Sequence, residues 1–371
     1  MHRIRVLIVD DAAVIRRLVA DELSADPAIE VVGTAANGKI ALARLTQVST
    51  DLVLLDIEMP EMDGLATLRE IRKTYPRLPV IMFSSLTERG ATATLDALAL
   101  GATDYFTKPT SAGGLEASLR VIREELIPEI KALCLQGPTP PVAPAATRLS
   151  ALHATLAPPT SPGASTPPRP PVRAMRIDVV AIGTSTGGPN ALADVFASLP
   201  ADLPVPIVIA QHMPPMFTRL LAERLTAQYS LQVEEGRAGG VLRPGHAWVA
   251  PGDYHMVVVR DGTHVKLLTH KDPPENSCRP SVDVLLRSVA QVFGPAALAV
   301  VLTGMGQDGL RGCEAVKAAG GQILVQDEPT SVVWGMPGAV ARAGLADKVL
   351  PLSEIAPEIV RRVKSGRGNG R

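Results

Sequence analysis

The chain has little cysteine, few aromatics and no excess of either charge, and each shortage excludes something. Its three cysteines, Cys134, Cys278 and Cys313, stand far apart with no CxxC pair. That argues against a disulfide framework and a zinc site, and it makes a reducing cytoplasm the expected setting. Lys plus Arg and Asp plus Glu number 37 each, so no net field favours nucleic acid or an anionic membrane. No apolar run reaches the ~18 residues of a spanning helix, and the first residues lack the pattern of a secretory leader. Aromatics make up 3% of the chain against 46% hydrophobic residues, so the cores are expected to be built from Ala, Val, Leu and Ile. A length of 371 residues is enough for two ordinary domains.

Proline, by contrast, is crowded. The 36 residues from Gly137 to Val172 hold 11 of the 33 prolines, mixed with Ala, Thr and Ser. Such a stretch cannot bury enough apolar surface to offset its ordering entropy. A mobile linker over 134–175 is expected, reaching roughly 35 Å if flexible. It separates a first domain, 1–133, from a second, 176–371.

In the first domain RVLIVDD, IEVVGTA, DLVLLDI, PVIMFSS and ATDYFTK read as short apolar strands, with amphipathic segments such as AAVIRRLVADELSAD between them. The alternation predicts a doubly wound parallel α/β sheet, whose chemistry gathers beyond the carboxyl ends of the strands. At those ends stand Asp10 and Asp11, then Asp56, Ser84 and Lys108. Three converging carboxylates repel one another unless a hard divalent cation such as Mg²⁺ holds them. A carboxylate can itself be phosphorylated, and a lysine and a hydroxyl beside it would bind the phosphoryl group.

VDD at 9–11, LDIEMPEMDG at 55–64, FSS and YFTKP closely resemble the receiver domain of bacterial response regulators. The resemblance implies a flavodoxin-like fold, Asp56 as phosphoacceptor, and Mg²⁺ held by Asp10, Asp11, Asp56 and the backbone carbonyl of Glu58. It also implies Lys108 as the phosphate-contacting lysine, with Ser84 and Tyr105 as the switch pair. A receiver is an input, so its output must lie beyond the linker.

The second domain shows no basic stripe and no helix-turn-helix composition, which disfavours a DNA-binding output. IDVVAIG, PVPIVIAQ, AALAVVLTG and GQILVQD read as strands of a second parallel sheet buried on both faces. Between Val233 and His270 turn signals come every few residues, and antiparallel ribbons are expected there.

Residues 183–187, GTSTG, fit GxSxG, with Ser185 between a strand and a helix-like segment. That is the setting of a nucleophile elbow. The same turn could bind an anion through backbone N–H groups, or be structural only. A nucleophilic serine needs a base, and the base needs a carboxylate. His212 directly follows PVPIVIAQ and Asp308 follows AALAVVLTGMGQ, so three strands of one sheet would bring Ser185, His212 and Asp308 to one edge. His246, His255, His264 and His270 lie in the ribbon region and are expected to be exposed or structural, while Asp253 and Asp283 are reserves for the acid.

IGTSTGGP, QHMPPMFT, APGDYHM, CRPSVDVLL, TGMGQDG and QDEPTSVVWGMP together resemble the catalytic domain of the chemotaxis protein-glutamate methylesterases, a family in which a receiver precedes this domain. The resemblance implies a Rossmann-like domain with a Ser185–His212–Asp308 triad and an oxyanion hole that uses backbone at Thr186 or Met305. It implies demethylation of receptor glutamate methyl esters and deamidation of receptor glutamines, with chemoreceptors as substrate and a chemotaxis histidine kinase as phosphodonor. The membrane is then met only through the receptors, and the esterase site needs no cofactor. Cys278 stands where these enzymes commonly have a histidine before RPSVD. Two rivals are a receiver-controlled module that binds an anion without turnover, and a hydrolase of small soluble esters.

Overall fold

The computed structural model describes residues 3–108, 114–135, 176–365 and 367; apart from its first two residues, the expected linker lies outside them. The amino-terminal body alternates strands β1 (Ile4–Val9), β2 (Ile29–Ala35), β3 (Leu52–Asp56), β4 (Val80–Ser84) and β5 (Asp104–Thr107) with helices α1 (Ala13–Ala25), α2 (Gly38–Leu45), α3 (Gly64–Thr74) and α4 (Glu88–Ala99). Helix α5 (Gly114–Val121), one π-helical turn (Ile122–Leu126) and α6 (Ile127–Leu135) complete it, the last running two residues past the expected boundary at 133. The sheet order is β2-β1-β3-β4-β5, all parallel.

The carboxy-terminal body contains β6 (Val179–Thr184), α7 (Gly188–Ala197), β7 (Ile207–Gln211), α8 (Phe217–Gln228), β8 (Gln232–Glu235), β9 (His246–Val249), β10 (His255–Asp261) and β11 (His264–His270). It continues through α9 (Val282–Phe293), β12 (Ala297–Val301), α10 (Leu310–Ala318), β13 (Gln322–Gln326), α11 (Met336–Arg342), β14 (Lys348–Leu350) and α12 (Leu352–Ser365). Seven parallel strands run in the order β14-β13-β12-β6-β7-β9-β8.

Burial on both faces explains the composition of the central strands. Every residue of β3, β4, β6, β7 and β12 is buried, so nothing selects for alternation and the runs are apolar almost throughout. Side-chain caps fix where helices begin. Asn37, Asp63 and Thr87 accept the backbone N–H three residues on, at 2.7–3.0 Å, each contact worth about 1 kcal/mol.

The expected antiparallel ribbon is present but narrower than the sequence pattern suggested. β10 and β11 pair antiparallel as a separate two-stranded sheet, and Val241 bridges Lys266 of β11 in the same sense. β8 and β9 instead extend the main sheet in parallel, with β9 beside β7 and β8 outside it. The ten residues between them, GRAGGVLRPG, carry the turn residues that looked like hairpins.

The two bodies pack together. α4 lies against α7 and α8, and Leu95 and Leu98 share one apolar cluster with Leu221 and Leu225. Tyr105 stacks on Phe217 with ring centroids 5.0 Å apart. Among the described residues no helix is long and apolar enough to cross a membrane.

Candidate active site

In the seven-stranded sheet the chain leaves β6 toward β7 on one side, while β12 lies on the other. Crevices form at such a reversal of strand order, and Ser185, His212 and Asp308 follow β6, β7 and β12 there. Ser185 sits half-buried on a turn fixed on all sides. Its N–H donates to Thr303 O at 3.0 Å, Gln211 Nε2 donates to its carbonyl at 3.0 Å, and Gly188 N donates to the same carbonyl at 2.7 Å. Two glycines make the turn possible. Gly187 has φ +74°, a conformation that disfavours side chains. A Cβ on Gly304 would lie 2.9 Å from that of Ser185.

His212 bridges the other two side chains. Its Nδ1 lies 3.1 Å from Ser185 Oγ and its Nε2 lies 2.8 Å from Asp308 Oδ2. The carboxylate holds the proton on Nε2, which turns the Nδ1 lone pair toward the hydroxyl, a tautomer assigned from the partners. Cys278 Sγ lies 3.4 Å from the same Nδ1. Burial disfavours charge on this imidazole, but Asp308 and Cys278 outweigh it and raise its pKa above the ordinary 6.5.

Asp308 is 2% exposed and richly bonded. It accepts the backbone N–H groups of Val282 (2.7 Å), Asp283 (3.0 Å) and Gly309 (3.0 Å), Asn276 Nδ2 (2.8 Å) and Ser281 Oγ (2.9 Å). Two of these donors open α9, so the carboxylate also caps the positive end of that helix. Burial opposes ionisation here, yet the His212 contact and these N–H groups hold the carboxyl well below its usual range.

The expected oxyanion donors lie near the same turn. Among the described residues neither Thr186 N nor Met305 N bonds to another group. The reserve acids bond to other groups than His212, Asp283 from a place beside Asp308. Asp253 pairs with Lys271 at 2.7 Å and with Arg279, and Asp283 accepts from Asn276 Nδ2 at 2.9 Å and Gly312 N at 2.6 Å. His264 is exposed. His255 is not: it is 1% exposed and its Nδ1 accepts Ser281 N at 3.3 Å, backing a residue of the Asp308 cradle.

The first body carries its own cluster. Asp10, Asp11 and Asp56 each offer an oxygen within 4.8 Å of the others, an acidic set typical of a Mg²⁺ site. These are hard oxygen donors on converging strand ends, and they fit that ion. Lys108 Nζ lies 2.7 Å from Asp10 Oδ2 and 2.8 Å from Asp56 Oδ2. Burial, opposed by Lys108, pushes Asp56 up to about 6. A cavity of about 200 Å³ opens on Asp56, Lys108, Glu58 and Ser85. Ser84 is fully buried, with Oγ 3.3 Å from Gly90 O and 2.7 Å from Thr94 Oγ1. Tyr105 faces the second body, on Phe217.

Asn276, Ser281 and Gln211 were missed in the sequence. Ser281 carried a signal, as the N-cap of α9; the other two act through contacts distant in sequence. Asp104 was missed as well: its Oδ2 accepts Gly187 N at 3.0 Å, across the two bodies.

Residues 180–359 match the CheB methylesterase family and residues 6–120 the response regulator receiver domain. The protein-glutamate methylesterase/protein-glutamine glutaminase of Trichodesmium erythraeum is 52% identical over 98% of this chain and 100% of its own length. The protein of the same description from Nocardioides sp. is 52% identical over 99% of this chain and 97% of its own. The solved CheB methylesterase catalytic domain of Thermotoga maritima is 40% identical, with TM-score 0.49, over 50% of this chain and 99% of that structure.

Proposed function

The chain belongs to the receiver-linked protein-glutamate methylesterase/protein-glutamine glutaminases, and from that membership we propose how its own residues do the work. The first domain, 1–133, takes a phosphoryl group on Asp56 from a chemotaxis histidine kinase. The second, 176–371, hydrolyses glutamate methyl esters and glutamine amides on the cytoplasmic part of chemoreceptors, resetting them for adaptation. The chain meets the membrane only through those receptors.

In the second domain Ser185 Oγ attacks the ester carbonyl while His212 Nδ1 takes its proton. The negative oxygen that develops is met by the N–H groups of Thr186 and Met305, each worth roughly 3 kcal/mol of barrier. His212 returns the proton to the departing methoxide, and methanol leaves. Water, deprotonated by the same nitrogen, then opens the acyl-enzyme to the glutamate carboxylate. An amide follows the same course and releases ammonia. A hydroxyl activated by an imidazole and a carboxylate needs no metal ion to become a nucleophile.

In the first domain Asp10, Asp11, Asp56 and the Glu58 carbonyl hold Mg²⁺, which when bound neutralises charge around the incoming phosphoryl group. Lys108 then pairs with the phosphoryl oxygens, and Ser84 turns from Gly90 toward them. Tyr105 carries that change to Phe217.

The observation that carries the esterase assignment is one imidazole within hydrogen-bond reach of both Ser185 Oγ and Asp308. Methanol release from methylated receptor membranes tests it, with small soluble esters in parallel. Ser185→Ala should abolish release at unchanged receptor binding. A variant that still turns over would sink the assignment, and equal rates on small esters and receptors would sink the receptor as preferred substrate.

A further inference from the structure

Asp104 opens β5 of the receiver, yet its carboxylate is 4% exposed and belongs to the other domain's turn. Oδ2 accepts Gly187 N at 3.0 Å, and the nearby Thr186 side chain favours the charged carboxylate. Oδ1 accepts the Tyr105 N–H at 2.8 Å. In the first turn of α7, three residues past Gly187, Asn190 Nδ2 donates to Ala102 O at 3.2 Å. Gly187 and Thr186 directly follow the nucleophilic serine and lead into α7, a ten-residue helix whose positive end faces the carboxylate.

Burying a carboxylate at an interface is costly unless donors replace its water. Burial pushes Asp104 up to about 7, and the Tyr105, Gly187 and Thr186 donors work against that cost. A contact made only to hold two domains together could use apolar surface, as Tyr105 and Phe217 do alongside. A desolvated carboxylate at this spot instead means that the turn offers something a carboxylate fits. On the proposed reaction, the group left next to Ser185 after hydrolysis is also a side-chain carboxylate.

We propose that the Thr186 hydroxyl and the Gly187 N–H form a carboxylate-binding site at the nucleophile turn, filled by Asp104 of the receiver in this arrangement and by the product carboxylate once the receiver has moved away. Asp104 is then an internal product mimic. Repression of the resting enzyme rests on competition for these two donors, in addition to steric cover. The inference depends on the esterase assignment and names how that site is regulated.

The test uses the full chain without phosphodonor, a small soluble ester as reporter and acetate as the carboxylate probe. Asp104→Ala should raise the basal rate about tenfold, the effect of losing a charge-assisted contact. Acetate should inhibit Asp104→Ala competitively while leaving the wild-type resting rate unchanged, because in the wild type the site is already filled. Arg224→Ala removes an exposed interdomain ion pair with Asp96 (2.7 Å) but leaves the turn intact, and its basal rate should change by less than about twofold. Far-ultraviolet circular dichroism and phosphorylation at Asp56 check that each variant is folded. An unchanged basal rate in Asp104→Ala overturns the proposal, and so does a raised rate that acetate does not inhibit. Ser185→Ala separates the two assignments: if it is inactive while Asp104→Ala is unreleased, only the carboxylate site falls; if it remains active, the esterase assignment falls first.

Discussion

At His212 two demands conflict. In its proposed role as base it must be neutral, whereas Asp308 at 2.8 Å favours its charged form and raises its pKa above 6.5. Esterase activity should therefore rise with pH along a limb displaced above the ordinary imidazole range, and be lost as pH falls through the raised value. The sign for stability is opposite. A raised folded-state pKa stabilises the fold fully below the unfolded value and loses that contribution as pH climbs through the folded one. The chain should thus be most active where the His212–Asp308 ion pair contributes least to its stability. Asp308→Asn should cut kcat by about 10³- to 10⁴-fold by releasing the tautomer. It should also move the residual limb toward lower pH. A pH profile of kcat/KM for both proteins checks this, and a limb that stays in place would mean Asp308 is not what raises His212.

Among the elements, α9 does more for the site than its place in the sequence announces. Its first N–H groups and its Ser281 cap converge on Asp308, and Asn276 from the preceding turn adds another donor. Ser281→Ala should cost about 1–3 kcal/mol, as a cap and a bond to a buried charge go together. The expected kcat loss is about tenfold, because the remaining donors still hold the carboxylate. Urea unfolding and initial rates measured on the same preparation separate the two effects. This convergence also marks the limit of what sequence shows. Ser185, His212 and Asp308 could be placed together because each follows an apolar strand, and strand ends of a parallel sheet share an edge. Asn276, Gln211 and Asp104 had no such marker, since their partners lie in other segments and no local period points to them. β8 and β9 were misread for a related reason: four-residue strands separated by glycine and proline look like hairpin arms until the rest of the sheet supplies a parallel neighbour.

Across the whole molecule, the interface decides how the receiver governs the esterase. Its charged contacts, Arg219–Glu88 and Arg224–Asp96 at 2.7 Å each, are partly exposed, and such pairs are worth roughly 0–1 kcal/mol and fade in salt. The apolar contacts of α4 with α8 and the Tyr105–Phe217 stack are hidden from ions, as is the buried Asp104 carboxylate. If repression rests on these covered contacts, the basal rate of the full chain should stay within about twofold between low salt and 0.5 M salt, beyond the screening of surface pairs. A chain lacking residues 1–170, or the full chain given Mg²⁺ and a small-molecule phosphodonor, should run faster than the resting full chain. Asp56→Asn should keep the resting rate and lose the response to phosphodonor. Ester hydrolysis across these preparations distinguishes the possibilities. A truncated chain no faster than the intact one rules out repression by the receiver. Salt that releases activity as fully as truncation would instead place the hold in Arg219 and Arg224, and would make Tyr105 and Asp104 bystanders.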